Sequence, residues 1–134
     1  MAYYTDIHAA LTQSIISLDL GVPIAHENAV FDRTNKTNFI EVNSLFNRED
    51  SITKTGFSEV DGIYQITIYS KAGTSVAKSL ELVDGLLTYY VNNLILSSGD
   101  QQVRVIEVER NEGRNLGGWY VIDVSVVFKS NILR

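Results

Sequence analysis

Apolar residues recur at helical spacing near the start of the chain. Between residues 5 and 18 they fall every three or four positions and form one stripe: Ile7, Ala10, Leu11, Ile15 and Leu18. This pattern predicts an amphipathic helix. Thr5 is a good N-cap residue, Asp6 suits the first turn, and Gly21 lies just beyond the end, where a left-handed residue is common.

A second helix is predicted after the turn at residues 71–73, with Thr74 or Ser75 as its cap. It extends to about Asn92, and its expected inner face is Val76, Ala77, Leu80, Val83, Leu87, Tyr90 and Val91. Gly85 within it costs about 1 kcal/mol relative to alanine, so we expect close packing at that position.

Alternating apolar positions predict the strands. The short apolar segment 22–26 is expected to be extended, because Pro23 within it restricts its neighbours. The predicted extended segments are 22–26, 39–46, 62–70, 102–110 and 119–129. The pattern of 102–110 changes phase midway, which indicates a β-bulge. The last strand alternates without interruption, and we expect it to pair antiparallel with the one before it.

Two stretches between the strands look like loops. Residues 47–61 are polar, are broken by Gly56 and form a long connector of the kind that is often functional or mobile. Residues 111–118 contain three glycines and predict a hairpin loop longer than the tightest turns.

The order helix, strands, helix, strands predicts an α+β fold. Its antiparallel or mixed β-sheet should carry both helices on one face. With 134 residues, of which 45% are hydrophobic and 20% charged, the chain fits one domain spanning 1–134 with one core.

Composition excludes several classes of site. The chain has no cysteine, so disulfides, thiolate metal sites and cysteine nucleophiles are ruled out. A net charge of −5 argues against tight nucleic-acid binding. We expect no secretory signal and no membrane span, because the N-terminus lacks a basic and apolar leader and no apolar run approaches about 20 residues.

Candidate chemistry is sparse, so we expect neither catalysis nor a cofactor or metal. His8 and His26 do not form a metal-binding motif, and His8 is expected to be solvated. The glycine-rich stretch 113–118 opens a strand, not a helix, and is better read as a hairpin than as a phosphate loop. Glu107 and Glu109 look like a solvated face. Trp119 suits an interface anchor and a cap on the core edge equally well.

Three stretches together resemble one known family. Pro23-Ile-Ala-His-Glu-Asn-Ala-Val-Phe31 resembles its "PIAWEN…F" segment, with His26 in place of the expected tryptophan. Residues 62–74, GIYQITIYSKAGT, resemble its "G-x-Y-Q-V-x-V-Y…G" strand and turn. Residues 117–128, GGWYVIDVSVVF, are similar to its closing strand. The family is the tail-terminator group of long-tailed phages, the lambda gpU type.

This resemblance implies a structural subunit of the virion that is made in the host bacterial cytoplasm. It implies a ring, of six copies, that caps the last ring of the tail-tube protein and meets a head–tail connector protein. DNA would pass through the ring without specific binding, and we expect acidic groups to line that channel. The candidate assembly residues are Arg48, Glu49, Phe57, Arg110, Arg114 and Trp119.

Two alternatives remain open at this point. The first is a head-completion or connector component, which the same type of fold could serve. The second is a small-ligand binding domain or an enzyme that uses the cleft between sheet and helices. A buried polar cluster lining a pocket would favour this second alternative.

Overall fold

The computed structural model describes residues 3–33, 36–51, 57–73 and 76–133. It contains two helices and seven strands in these ranges. In chain order they are α1 (Tyr3–Leu18), β1 (Ile24–Ala25), β2 (Asn38–Ser51), β3 (Phe57–Lys71), α2 (Ala77–Tyr89), β4 (Ile95–Ser98), β5 (Gln101–Arg110), β6 (Arg114–Leu116) and β7 (Trp119–Leu133).

The strands form one sheet with the order β1-β2-β3-β7-β5-β4, and β6 pairs with β7. β1 and β2 run parallel, whereas the other described pairs are antiparallel. Both helices pack on one side of this mixed sheet, which confirms the predicted α+β fold. The predicted antiparallel pairing of the last strand with the one before it is also confirmed.

β3 and β7 form the centre of the sheet. Each has 15 residues, and they pair along their whole length, from Phe57 opposite Leu133 to Lys71 opposite Trp119. Their even-numbered side chains point toward the helices, as the alternation predicted. The fully buried ones at the centre are Tyr64, Ile66, Ile68, Val124 and Val126.

The two helices meet through a buried polar contact as well as apolar packing. The hydroxyl oxygens of Ser14 in α1 and Tyr90, just after α2, lie 2.6 Å apart. Ser14 also donates to the Leu11 carbonyl at 2.6 Å, so Tyr90 is the donor to Ser14. Burial raises the pKa of Tyr90 above its usual value. Such a buried hydrogen bond contributes about 1 kcal/mol, and leaving one partner unmatched costs more.

The inner face of α2 differs from the predicted one. The helix buries Ser79, Leu82, Val83 and Leu86. Val76 and Leu80, predicted to be inside, are 46% and 43% exposed. The apolar arc of α2 is wider than the surface that the sheet offers, so one flank of the helix stays outside. The close packing expected at Gly85 is present, because a Cβ there would lie 3.1 Å from Leu20 Cδ2.

The predicted helix caps are not confirmed. Thr5 is not the N-cap of the first helix, because α1 already begins at Tyr3. Thr74 and Ser75 lie outside the described residues. The residue before α2 is Val76, which is itself helical and makes no side-chain capping bond.

The long loop predicted at 47–61 is wrong in the described part of that stretch. β2 continues to Ser51 and β3 begins at Phe57, with Arg48 opposite Asp61. A register shift lies between Phe46 and Arg48. Polar residues look like a loop in sequence, yet a strand pairs through its backbone and therefore also accepts polar side chains.

The hairpin at 111–118 is tighter than predicted. It contains the short strand β6, and it closes through Gly117 and Gly118, whose φ angles are 54° and 85°. Two consecutive positive φ angles are typical of the two-residue turns that suit twisted hairpins. The predicted bulge in β5 is confirmed by a register shift between Val105 and Glu107. The short strand β4 was not predicted.

Candidate assembly surface

The sheet face that carries no helix has its own small apolar cluster. Its buried members are Ala25, Phe39, Tyr69 and Val121. The rings of Phe39 and Tyr69 stack with centroids 4.6 Å apart, and Trp119 meets Phe39 edge-on at 5.1 Å. The Arg33 guanidinium lies 4.9 Å from the centroid of the Tyr69 ring. Trp119 is therefore half-buried against this cluster, at one end of the helix-free face.

Asp123 is a buried carboxylate on the same face. It accepts a 2.8 Å hydrogen bond from Thr67 Oγ1 and a 2.6 Å bond from Arg114 Nη1. Burial alone would raise the pKa of Asp123, but these two hydrogen bonds and the charge of Arg114 outweigh it and hold the pKa below its usual value. Arg114 thereby fixes β6 against the sheet, so this predicted assembly residue already has a partner within the chain.

Most of the charge on this face is paired within the chain. Besides Arg114 and Asp123, Arg33 lies 3.6 Å from Glu41, and Lys129 lies 3.5 Å from Glu59.

The exposed part of β5 carries further charge. Glu107, Glu109 and Arg104 are exposed there and form no ion pair with any described residue. By the strand register, Glu107 lies beside Val127 and Glu109 beside Ser125, both on the helix-free side. The exposed face is therefore mildly acidic.

The predicted assembly residues do not form one cluster. Arg48, Glu49 and Phe57 lie opposite Asp61, Val60 and Leu133, at one end of the sheet. The other three, Arg110, Arg114 and Trp119, lie toward the opposite end.

The two ends are far apart. At about 3.3 Å per residue, the length of β3 separates them by roughly 45 Å. Arg110 and Arg114 also fall on opposite faces, since their partners on β7 are Val124 and Val121. The register thus divides the six residues between two regions of the sheet, with Trp119 level with Lys71 at one end and Arg110 level with Ile66, nearer the middle.

The segment from Pro23 to Phe31 lies along the outer edge of β2. Ile40 N donates to the Pro23 carbonyl at 3.0 Å, and β1 pairs with β2 at the next positions. Ser44 N then donates to Glu27 Oε1 at 2.7 Å. Asn28 has a φ of 57°, a left-handed conformation that asparagine tolerates. Pro23, Glu27 and Asn28 therefore each have a structural role along this edge.

The two histidines lie in different surroundings. His8 is half-buried, with Nδ1 2.9 Å from Ser44 Oγ, which corrects the expectation that it is solvated. His26 is exposed, so the missing tryptophan removes little packing there. Within the described ranges, no three His, Asp or Glu side chains converge in a way that could hold a metal ion.

An open groove on the described surface lies between the end of α1 and the outer side of α2. It has a volume of about 560 Å³ and is lined by Leu18, Asp84, Gly85, Thr88, Tyr89 and Leu94. The groove is open and mainly apolar, and it lacks the buried polar cluster that would favour ligand chemistry.

A model of the phage tail terminator protein family matches residues 6–128. The chain belongs to the phage tail terminator family. The terminator is therefore a structural protein of the phage tail and of the virion. No curated protein matches its sequence. Across the described ranges, neither helix combines the length and apolar character of a membrane-spanning segment.

Solved structures share the terminator's fold at low sequence identity. One, whose name states no function, has a TM-score of 0.77 at 15% identity and covers 96% of this chain and 95% of its own. Another is a chain from the virion of a native gene transfer agent particle, with a TM-score of 0.61 at 15% identity over 100% and 99%. At this identity both comparisons concern the fold alone.

Replacing Asp123 tests the ion pair that holds β6. We expect Asp123→Asn to lower the free energy of unfolding at pH 7 by about 1–3 kcal/mol, because the buried charge-assisted bond to Arg114 is lost. Chemical denaturation at a series of pH values measures this difference.

The stability difference between the unchanged protein and Asp123→Asn should depend on pH in one direction. The pKa of Asp123 is lower in the folded protein than in the unfolded chain. In the unfolded chain it is about 4. Its contribution is complete above the unfolded value and disappears as the pH falls through the folded-state pKa. The two proteins should therefore converge in stability in acid. An equal gap at all pH values would contradict this account, and Glu112→Gln, at an exposed position, is the control.

Proposed function

We propose that the terminator assembles as a ring of six copies that caps the tail tube. The ring ends tube polymerisation and forms the surface that joins the head. The observation that carries this proposal is the family match across residues 6–128. The fold shared with a chain of a gene transfer agent virion supports a place in such an assembly. The role needs no chemical step, and we propose that the protein is not an enzyme.

The open sheet supports a head-to-tail contact between copies. Its two edges differ, since one is the four-residue strand β4 and the other is β2 with the short β1 on it. A contact between two different surfaces repeats from copy to copy, and it closes into a ring when the rotation per copy allows. In the proposed ring, this contact repeats between six copies and closes on itself.

The length of the sheet supports two separate contacts along the ring axis. One group of predicted assembly residues lies near the β2–β3 end, and the other lies near the β6–β7 hairpin. We propose that one end meets the tail-tube protein and the other meets the head–tail connector protein. Polymerisation stops because only one end matches the tube.

The helix-free face suits the channel through which DNA passes. Its ion pairs engage Arg33, Arg114 and Lys129 with carboxylates, which weakens their attraction for phosphate. Glu107 and Glu109 add exposed negative charge that repels phosphate. We propose that this face lines the channel, so that DNA passes without specific binding, in particles assembled in the host bacterial cytoplasm.

A tube-assembly reaction tests the capping role. Tail-tube protein polymerised with the terminator should give tubes of limited length, with rings of six copies at one end by native mass measurement and negative-stain imaging. Tubes of unlimited length beside unattached terminator would contradict capping. Terminator found on the free head instead, with no effect on tubes, would show that the head-completion alternative is correct.

Charge reversal tests the channel. The double variant Glu107→Lys and Glu109→Lys should assemble into particles but reduce infectivity, because lysine binds the passing phosphates. The control, Glu81→Lys, changes an exposed residue of α2, on the other side of the sheet. Equal infectivity of the double variant and the control would contradict the placement of this face.

A further inference from the structure

The outer edge of β2 has hydrogen-bond partners at three successive places between Ile40 and Ser44. The Pro23 carbonyl takes the amide of Ile40, β1 pairs with the next positions, and the Glu27 carboxylate takes the amide of Ser44. The first two places use backbone groups, as a neighbouring strand does. The third uses a side chain, 17 residues away in sequence, where the pairing with β1 has ended.

An open strand edge is a template for another strand. Its outward amides and carbonyls pair with any extended segment that reaches them, including one from a second copy of the same chain. The amide of Ser44 points outward, because its hydrogen bond goes to Glu27 and not to β3. A carboxylate on that amide occupies the donor that an added strand would need, and it brings a negative charge to the edge.

Ser44 is also held from the helix side. Its hydroxyl lies 2.9 Å from His8 Nδ1, and the Thr12 hydroxyl lies 3.5 Å from the other ring nitrogen. The residue is buried, although Glu27 itself is exposed. The backbone at Ser44 is thus fixed while its outward amide is covered by one exposed side chain alone.

We infer that Glu27 guards the edge of β2 against strand addition by a second copy of this chain. The guard is a single hydrogen bond between a carboxylate and a backbone amide, and it occupies the outward amide of Ser44, which an added strand would need. Its loss exposes the amide of a rigid strand that is already in pairing geometry. If copies meet through this edge in the proposed ring, the inference requires that contact to be made by side chains and not by backbone pairing at Ser44. The test below uses no tail-tube protein, so its outcome does not depend on the place of the protein in the virion.

The test compares variants of the full chain in which Glu27 is changed. Glu27→Ala removes the acceptor, whereas Glu27→Gln keeps an amide oxygen at the same reach. Glu81→Ala is the matched control, because it removes an equal charge from an exposed position on α2. Hydrogen exchange at the Ser44 amide and light scattering over a concentration series are measured on each protein without any tail-tube protein.

We expect the Ser44 amide of Glu27→Ala to exchange at least about tenfold faster than in the unchanged protein, because a charge-assisted hydrogen bond is lost. The same variant should self-associate at lower concentration than the Glu81→Ala control. Glu27→Gln should remain close to the unchanged protein in both measurements.

Either of two results would overturn the inference. Unchanged exchange at Ser44 in Glu27→Ala would show that the carboxylate does not protect the amide. Faster exchange with no more self-association than Glu81→Ala would show that the edge needs no guard. If Glu27→Ala does not fold, Glu27→Asp takes its place, since it keeps the charge on a side chain one methylene too short to reach Ser44, and the same criteria apply.

Discussion

The continuous pairing of β3 with β7 is the constraint on which the other elements depend. Over 15 residues each, these strands fix which side chains face the helices and which face away. Gly62 lets β2 and Phe128 approach β3 closely, because a Cβ there would clash with the Leu45 carbonyl oxygen and lie 2.8 Å from the Phe128 ring. A larger residue would push β2 or Phe128 away from the sheet centre. The rest of the fold is built on the two faces that this pairing defines.

The two faces serve different purposes. On the helix side, apolar packing is continuous, and the hydroxyl groups of Ser14 and Tyr90 form a hydrogen bond within it. On the other side, an aromatic cluster packs at one end of the sheet. Ion pairs such as Arg114 with Asp123 neutralise much of the charge there. The first arrangement stabilises the subunit, and the second leaves a hydrophilic surface, which is the one we propose for the channel. Membership of the tail terminator family places the subunit in a phage tail.

Sequence patterns predicted the elements whose apolar residues face one side only. The helix α1 and the alternating strands β3 and β7 follow directly from side-chain period, and so does the bulge in β5. The patterns failed for β2 beyond Phe46 and for the start of β3, because a polar run in a strand and a polar run in a loop look the same in sequence. They also missed the bonds of Asp123 with Thr67 and of Glu27 with Ser44, because partners 56 and 17 residues apart meet only once the sheet has formed.

The most direct test of the account is the orientation of the subunit in the assembled tail. A cryo-electron microscopy reconstruction of the terminator on its tube measures it. The account predicts a ring of six subunits with the helix-free face, including Glu107 and Glu109, toward the channel, and with the two ends of the sheet on the two axial faces of the ring. Helices α1 and α2 lining the channel, with the sheet outside, would contradict it.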